Sequence, residues 1–310
     1  MFDVTKSIVQ KIEIQSLDDR GIGLFLKRDD LIHAQVSGNK WRKLKLNVEL
    51  CKSMKKEGIL TFGGAFSNHL LATAAVCAEL GLRSVGIVRG DELNELSNET
   101  LKNCHELGMN LRFISRQEYQ LRSEKSYHDS LSLEFENYLV VPEGGANYYG
   151  MIGCQEILSE IDTPIDHVFV AQGTTTTSCG ILMSLRNDQK LHVIPVLKGF
   201  DSEAEMRALF TATVLEKEWS DSLFDKLAVH ADYHFGGYGK YTSDLMFFIR
   251  DFYKNHQIEL DPIYTGKAMY ALFQELKSPI YDDKNVLFVH TGGIQGAQSI
   301  IDKTGIKLFD

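Results

Sequence analysis

Seven short apolar segments, most of them closing on a glycine, alternate with helical patterns along this chain, and nothing else in it limits the fold as strongly. They are ILTFGG (59–64), SVGIVRG (84–90), LRFIS (111–115), YLVVPEGG (138–145), HVFVAQG (167–173), HVIPVLKG (192–199) and VLFVHTGG (286–293). Among them, apolar residues recur at helical spacing: Leu44, Val48, Cys51 and Met54 before Gly58, the Ala72–Leu80 stretch before Gly81, and Leu101, Cys104 and Leu107 before Gly108. Near-continuous apolar strands separated by amphipathic helices predict mainly parallel sheets covered by helices on both faces. The fold class is α/β.

At about 150 residues per domain, 310 residues suggest two domains. Only five prolines occur and no Gly/Ser-rich linker divides the chain, so two domains must share chain crossings. A composition of 44% hydrophobic and 24% charged residues excludes a mostly disordered chain, a coiled coil and a disulfide scaffold. The net charge of −9 argues against nucleic acid as the main partner, while leaving room for a local anion site. No apolar run approaches the roughly eighteen residues that span a bilayer. The opening MFDVTKSIVQKIEIQ has no apolar core of a signal peptide, so the expected location is cytoplasmic, without a membrane partner. Five cysteines, odd in number and without a C-x-x-C pair, read as reduced and mostly buried thiols, and no metal site is expected.

Parallel α/β sheets bind ligands at the carboxyl ends of their strands. The turns there, FGGAFSNH, PEGGANYYG, AQGTTTTSCG and HTGGIQG, expose backbone N–H groups and hydroxyls at helix N-termini, which is anion-binding chemistry. The dinucleotide, P-loop, nucleophile-elbow and H-E-x-x-H signatures are absent from them. In AQGTTTTSCG a helix is predicted from about Ser178, and Thr174–Thr177 read either as a phosphate cradle or as a turn capping its own helix. In SGNKWRKLK (37–45), Lys40 follows a Ser-Gly-Asn turn, apart from the helix's periodic polar face. A lysine presented from such a turn suits Schiff-base chemistry; a lysine cluster also reads as a solvated helix face.

KRDDL (27–31), SGNKWRKLK, GGAFSNH (63–69), EGGANYYG (143–150), FGGYGKY (235–241), LDPIYTGKAM (260–269) and HTGG (290–293) occur in order over nearly the whole chain. Together they resemble the pyridoxal-phosphate enzymes of the D-cysteine desulfhydrase and 1-aminocyclopropane-1-carboxylate (ACC) deaminase family. The resemblance implies the tryptophan synthase β-like fold (fold type II): two three-layer α/β/α domains with mainly parallel sheets. It places a small domain at 45–146, inserted in a large cofactor-binding domain made of 1–44 and 147–310, and it implies a homodimer.

The resemblance also implies roles. Lys40 matches the lysine that holds pyridoxal 5'-phosphate as a Schiff base, and Asn68 the asparagine at the cofactor's 3-oxygen. Thr174, Thr175, Thr176 and Thr177 match the phosphate loop, with Thr176 standing where the family usually has glycine. Thr291 matches the residue facing the pyridine nitrogen, where a neutral hydroxyl gives a weaker electron sink than a carboxylate. Ser67, Asn68 and His69 match the stretch that receives the substrate carboxylate, although Ser67 also reads as an N-cap and His69 as a first-turn helix residue. Tyr238 and Tyr264 match pocket tyrosines; alone, each reads as a core ring. Leu70 and Leu71 follow where the family has polar residues, a change expected near the pocket.

ACC deaminases resemble Y-E-G-K where this chain has Tyr264-Thr265-Gly266-Lys267. Thr265 points to the D-cysteine desulfhydrase branch, and also to L-cysteate sulfo-lyases. The expected reaction is β-elimination from a small amino acid, D-cysteine giving pyruvate, hydrogen sulfide and ammonia. Lys40, Tyr264 and Ser67 are the catalytic candidates, with either Lys40 or Tyr264 as the base. ACC deamination is the alternative reaction, and a cofactor-binding protein without turnover the alternative class.

Overall fold

The apolar segments sort into two sheets. The computed structural model describes residues 2–33, 35–36, 38–213, 217–294, 301 and 307–309. Its strands are β1 (Val9–Ile12), β2 (Gly23–Lys27), β3 (Gly58–Gly63), β4 (Arg83–Arg89), β5 (Met109–Ile114), β6 (Tyr138–Val140), β7 (His167–Gln172), β8 (Lys190–Pro195), β9 (Leu227–Val229) and β10 (Asn285–Val289). One sheet has the order β1-β2-β10-β7-β8-β9 and the other β5-β4-β3-β6. Only β1 runs antiparallel to its neighbour among these strands.

Burial on both faces explains the lack of alternation in the strands. All six residues of β3 are buried, because helices cover both sides. On one face of the six-stranded sheet, Phe169 and Phe288 pack against Ile249 and Leu272 of helices Ser243–His256 and Thr265–Glu275. On the other, Val168 and Val193 meet Met151, Ile181 and Phe210 from three further helices. The four-stranded sheet is likewise sandwiched, with Val76 of helix Asn68–Glu79 beside Ile59, and Tyr119 and Leu131 beside Phe62 and Ile87. Both units are three-layer α/β/α.

All four strands of the smaller sheet lie between Gly58 and Val140, and the larger sheet is built from chain before and after them. The expected crossing at 44/45 falls inside a helix, Asn39–Ser53. Its Leu44, Val48 and Cys51 join the smaller sheet's core. That helix starts earlier than its apolar spacing suggests, so Lys40 stands in its first turn. Gly38 makes this possible: its φ is +66°, and a Cβ there would fall 1.7 Å from the Thr291 carbonyl oxygen. Ser37, also assigned to that turn, lies outside the described residues. Helix Thr176–Ser184 likewise begins two residues before the expected Ser178. Leu70 and Leu71 are core residues at 0% and 6% exposure, in the cluster that includes Val88 and Leu101.

A buried ionic network fixes the start of the Lys40 helix. Arg42 and Asp29 are both fully buried; Arg42 donates from Nε and Nη2 to the two Asp29 oxygens at 2.8 Å each. Its Nη1 and Nη2 also reach Glu160 at 2.7 and 2.8 Å, and Lys27 Nζ donates to Glu160 at 2.7 Å. Burial works against the guanidinium's charge, but the bonds to Glu160 and Asp29 outweigh it and hold its pKa above the usual range. The Asp29 carbonyl accepts from Gly38 N–H at 2.9 Å, so one aspartate grips both sides of the turn that presents Lys40.

Removing one partner of a buried pair leaves an uncompensated charge, which costs about 3–5 kcal/mol. The Arg42→Met variant is expected to lose stability on that scale in urea unfolding. A loss under about 1 kcal/mol would show that the network is dispensable.

Candidate active site

The turns at the carboxyl ends of β3, β7 and β10 converge with the loop after β6. A Cβ placed on Gly293 would lie 3.7 Å from Asn68 Nδ2 and 3.4 Å from Asp261 Oδ2. One placed on Gly145 would lie 3.1 Å from the Lys43 Cβ and 3.6 Å from His69 Cε1. Thr291 is buried and backs directly onto Gly38, so Lys40, Asn68, His69 and Thr291 edge the same cleft between the two sheets.

Two lysines face this cleft. Lys40 Nζ donates to Asn39 Oδ1 at 3.0 Å, and Asn39 Nδ2 donates to Thr177 Oγ1 at 2.8 Å. Burial first, and the like charge of Lys43 second, bring the Lys40 pKa down to about 7. Lys43, one helical turn later, donates to Thr174 Oγ1 at 3.0 Å, and burial lowers its pKa as well.

The threonine turn has the chemistry an anion would need. Thr176 Oγ1 and Ser178 Oγ are fully buried and have no hydrogen-bond partner, although buried hydroxyls are almost always paired. They sit in the first turn of a nine-residue helix whose cap, Thr175, makes no side-chain capping bond. The Tyr264 ring covers the approach, its Cε1 falling 2.8 Å from a Cβ placed on Gly173. Unpaired hydroxyls, first-turn N–H groups and the nearby Lys43 ammonium fit a phosphate monoester, and Lys40 stands on the adjoining helix. These residues therefore fit pyridoxal phosphate.

Ser67 caps helix Asn68–Glu79, accepting from Leu70 N–H at 3.3 Å, and its own proton remains available to a ligand. His69 is different. The Thr61 hydroxyl donates to the Val141 carbonyl at 2.8 Å, so His69 Nε2, 3.0 Å from Thr61 Oγ1, carries the ring proton. His69 Nδ1 is then a bare acceptor, buried without a partner. Burial, then Lys40 and Lys43, hold its pKa well below the usual histidine range, so the ring is neutral. A carboxylate needs donors, and His69 offers none.

Tyr238 and Tyr264 form an edge-to-face pair with ring centroids 6.0 Å apart, which brings their hydroxyls into interaction. Burial and Tyr238 raise the Tyr264 pKa well above 10, so the phenol keeps its proton. Thr265 is buried and committed: its hydroxyl donates to Asp261 Oδ2 at 2.7 Å and accepts from Asp261 N–H at 2.9 Å. Asp261 also takes the N–H groups of Ile263, Tyr264 and Thr265, so its two oxygens are consumed by the start of the Tyr264 helix. Lys267 Nζ donates to the carbonyls of His234 and Gly237 at 2.9 and 2.8 Å and so anchors the loop bearing Tyr238.

Lys43, Asp261 and Lys267 were not singled out by the sequence. Lys43 reads as one basic residue among several on a helix, and only the folded contact with Thr174 distinguishes it. The usable signal for the other two lay inside LDPIYTGK, where an Asp four residues before a Thr, at a helix start, is a capping arrangement. Among the described residues, no His/Cys/Asp/Glu cluster suits a metal ion.

Residues 9–292 match the family described as pyridoxal-phosphate dependent enzyme. A D-cysteine desulfhydrase of Klebsiella pneumoniae is 31% identical over 89% of this chain and 88% of its own length. A mitochondrial bifunctional D-cysteine desulfhydrase/1-aminocyclopropane-1-carboxylate deaminase of Arabidopsis thaliana is 30% identical over 91% of this chain and 75% of its length. The crystal structure of an ACC deaminase homologue superposes with a TM-score of 0.78 at 27% identity, covering 96% of this chain and 92% of that one.

The lowered lysine pKa is directly measurable. Reductive labelling of Lys40 by a small aldehyde, read by peptide mass spectrometry, is expected to reach half its maximum near pH 7. Lys43→Met is expected to move that midpoint upward, since it removes a like charge. The same shift sets a stability slope: the unfolded chain keeps the Lys40 proton up to about pH 10.5 and the folded chain releases it at about 7, so stability from this group rises across that window. A midpoint near 10.5 would remove Lys40 as a neutral-pH nucleophile.

Proposed function

The chain belongs to the pyridoxal-phosphate-dependent enzyme family, and from that premise we propose a lyase acting on small amino acids, with D-cysteine as its first substrate. D-cysteine and water would yield pyruvate, hydrogen sulfide and ammonia. The observation that carries this reading is a half-buried lysine, its amine brought to a pKa of about 7, beside a threonine turn with unpaired hydroxyls.

Lys43 and Thr174–Thr177 would hold the cofactor's phosphate, Lys40 its aldehyde carbon, and Asn68 and Thr291 its ring. Bound pyridoxal phosphate supplies an electron sink for negative charge at the substrate's α-carbon. Lys40 Nζ takes the α-proton, because with a pKa of about 7 a large share of its amine is unprotonated at neutral pH while the Tyr264 phenol is not ionised. Tyr264 thus serves as a proton donor and orienting group, with Tyr238 beside it. Ser67 Oγ, Asn68 and the helix N-terminus they open receive the substrate carboxylate. His69 supports that turn through Thr61 rather than binding the carboxylate itself.

Thr265 weighs toward elimination from D-cysteine and away from ring opening of ACC. Its hydroxyl and the Asp261 carboxylate satisfy each other and the helix start, leaving neither for a ring nitrogen. L-cysteate is the next substrate in order.

We also propose that 1–44 with 147–310 and 45–146 act as two domains, so that closure over the cleft excludes water. The homodimer rests on the family resemblance. The cytoplasmic location is supported by five free, buried cysteines, which suit a reducing compartment. Sedimentation equilibrium at a single-chain mass would reject the dimer.

The purified protein is expected to be yellow, with borohydride fixing the cofactor on Lys40. Keto-acid release is then compared for D-cysteine, L-cysteine, L-cysteate and ACC, with D-cysteine fastest, and Lys40→Ala is expected to cost about 10²–10⁴ in kcat. ACC turning over fastest would assign the deaminase reaction instead, and a colourless protein that takes up no pyridoxal phosphate would end the proposal.

A further inference from the structure

Helix Thr265–Glu275 and the tyrosine that opens it hold the stretch of chain after β9 at successive points, and the two run in opposite directions. At the far end Glu275 accepts the Tyr233 hydroxyl at 2.9 Å and lies 3.4 Å from His230 Nδ1. Tyr270 then meets Phe235 edge-to-face at 5.2 Å. Lys267 Nζ spans the carbonyls of His234 and Gly237, and Tyr264 meets Tyr238. Between these points the loop is left-handed at Phe235, Gly236, Gly237 and Gly239, with φ of +52°, +95°, +113° and +68°. Among the described residues, the other backbone bonds here stay local. Gly236 N–H donates to His234 Nδ1, Gly237 N–H to the His234 carbonyl, and Lys240 N–H to the Gly237 carbonyl. The polar tie from this loop's backbone to the helix is the Lys267 amine.

We infer that Lys267 is a positioning residue for substrate binding: by holding the His234 and Gly237 carbonyls it sets where the Tyr238 ring stands. Tyr238 follows Gly237 directly, so play in that carbonyl moves the ring. Tyr264, against which the ring rests, reaches Gly173 at the start of the threonine turn, which puts Tyr238 one ring away from that turn. Tyr238 is 46% exposed, so its own packing leaves it loosely held. Lys267 is fully buried, and an apolar side chain in its place would leave each carbonyl with only its local turn bond. Burial lowers the Lys267 pKa to about 8, against the favourable charge of Asp261. At neutral pH the amine is therefore mainly ammonium, and its two bonds are charge-assisted. This inference rests on the amino-acid lyase reading above, which makes Tyr238 part of the substrate pocket.

The holoenzyme tests it in two ways. Alanine carries no β-leaving group, so absorbance titration with each enantiomer reads affinity apart from elimination. Lys267→Met is expected to weaken the better-bound enantiomer about tenfold, and in D-cysteine turnover most of the loss is expected in KM. In a Tyr238→Ala background the same substitution is expected to cost less than about twofold, because the ring it positions is gone. Equal losses in both backgrounds would make Lys267 a purely structural residue and overturn the inference. Hydrogen exchange is the second readout: Lys267→Met is expected to speed the amides of 235–240 about tenfold or more, and unchanged exchange there would also overturn it. Should Lys267→Met not fold, Lys267→Gln, which keeps a polar donor, takes its place in both measurements. If neither enantiomer of alanine changes the spectrum of the wild type, the amino-acid reading fails, while exchange at 235–240 still decides whether Lys267 holds the loop.

Discussion

The Arg42–Asp29 pair is the interaction on which the site depends. Asp29 follows β2 and Arg42 lies two residues beyond Lys40, so their two-pronged contact ties the carboxyl end of an inner strand of the larger sheet to the first turn of the lysine helix. Glu160 and Lys27 extend the same network to helix Tyr148–Ser159. A hydrophobic contact could supply comparable stability, but it would not fix rotation about the helix axis. Bidentate geometry does, and Lys40 must point into the cleft with little angular freedom.

Around that lysine the protein accumulates positive charge and withholds its compensation. Lys40 and Lys43 are both depressed by burial, and His69 is neutral beside them. Asp261, also fully buried, spends its oxygens on a helix start. Such a cleft is poorly satisfied by its own residues and well matched to a ligand bringing a phosphate and a carboxylate. Unpaired hydroxyls at Thr176 and Ser178 describe the same deficit in hydrogen bonds.

Much of this was legible in the sequence, and the reasons are local. Apolar runs ending in glycine revealed the parallel sheets, because both-face burial removes alternation. Gly81 and Gly108 stop their helices at φ +68° and +85°, as their place in the pattern suggested. Lys40 stood out because Gly38 interrupts the chain just before it. What stayed hidden depends on distant partners. Lys43 differs from its basic neighbours only through Thr174, more than a hundred positions away, and the tautomer of His69 is decided by the Thr61 hydroxyl on strand β3. The raised pKa of Tyr264 likewise comes from burial and from Tyr238, which only the folded chain brings to it.

The pairing of β2 with β10 has a consequence for how the molecule assembles. Residues 23–27 take as their parallel partner residues 285–289, so the larger sheet cannot close until nearly the whole described chain is present. The smaller sheet draws all its strands from 58–140 and can form while synthesis continues. During that interval β2 holds only β1 as a neighbour, with one edge exposed to any strand that passes. The Thr291 carbonyl that backs onto Gly38 follows β10, so the turn that presents Lys40 gains its last neighbour only when that strand is in place.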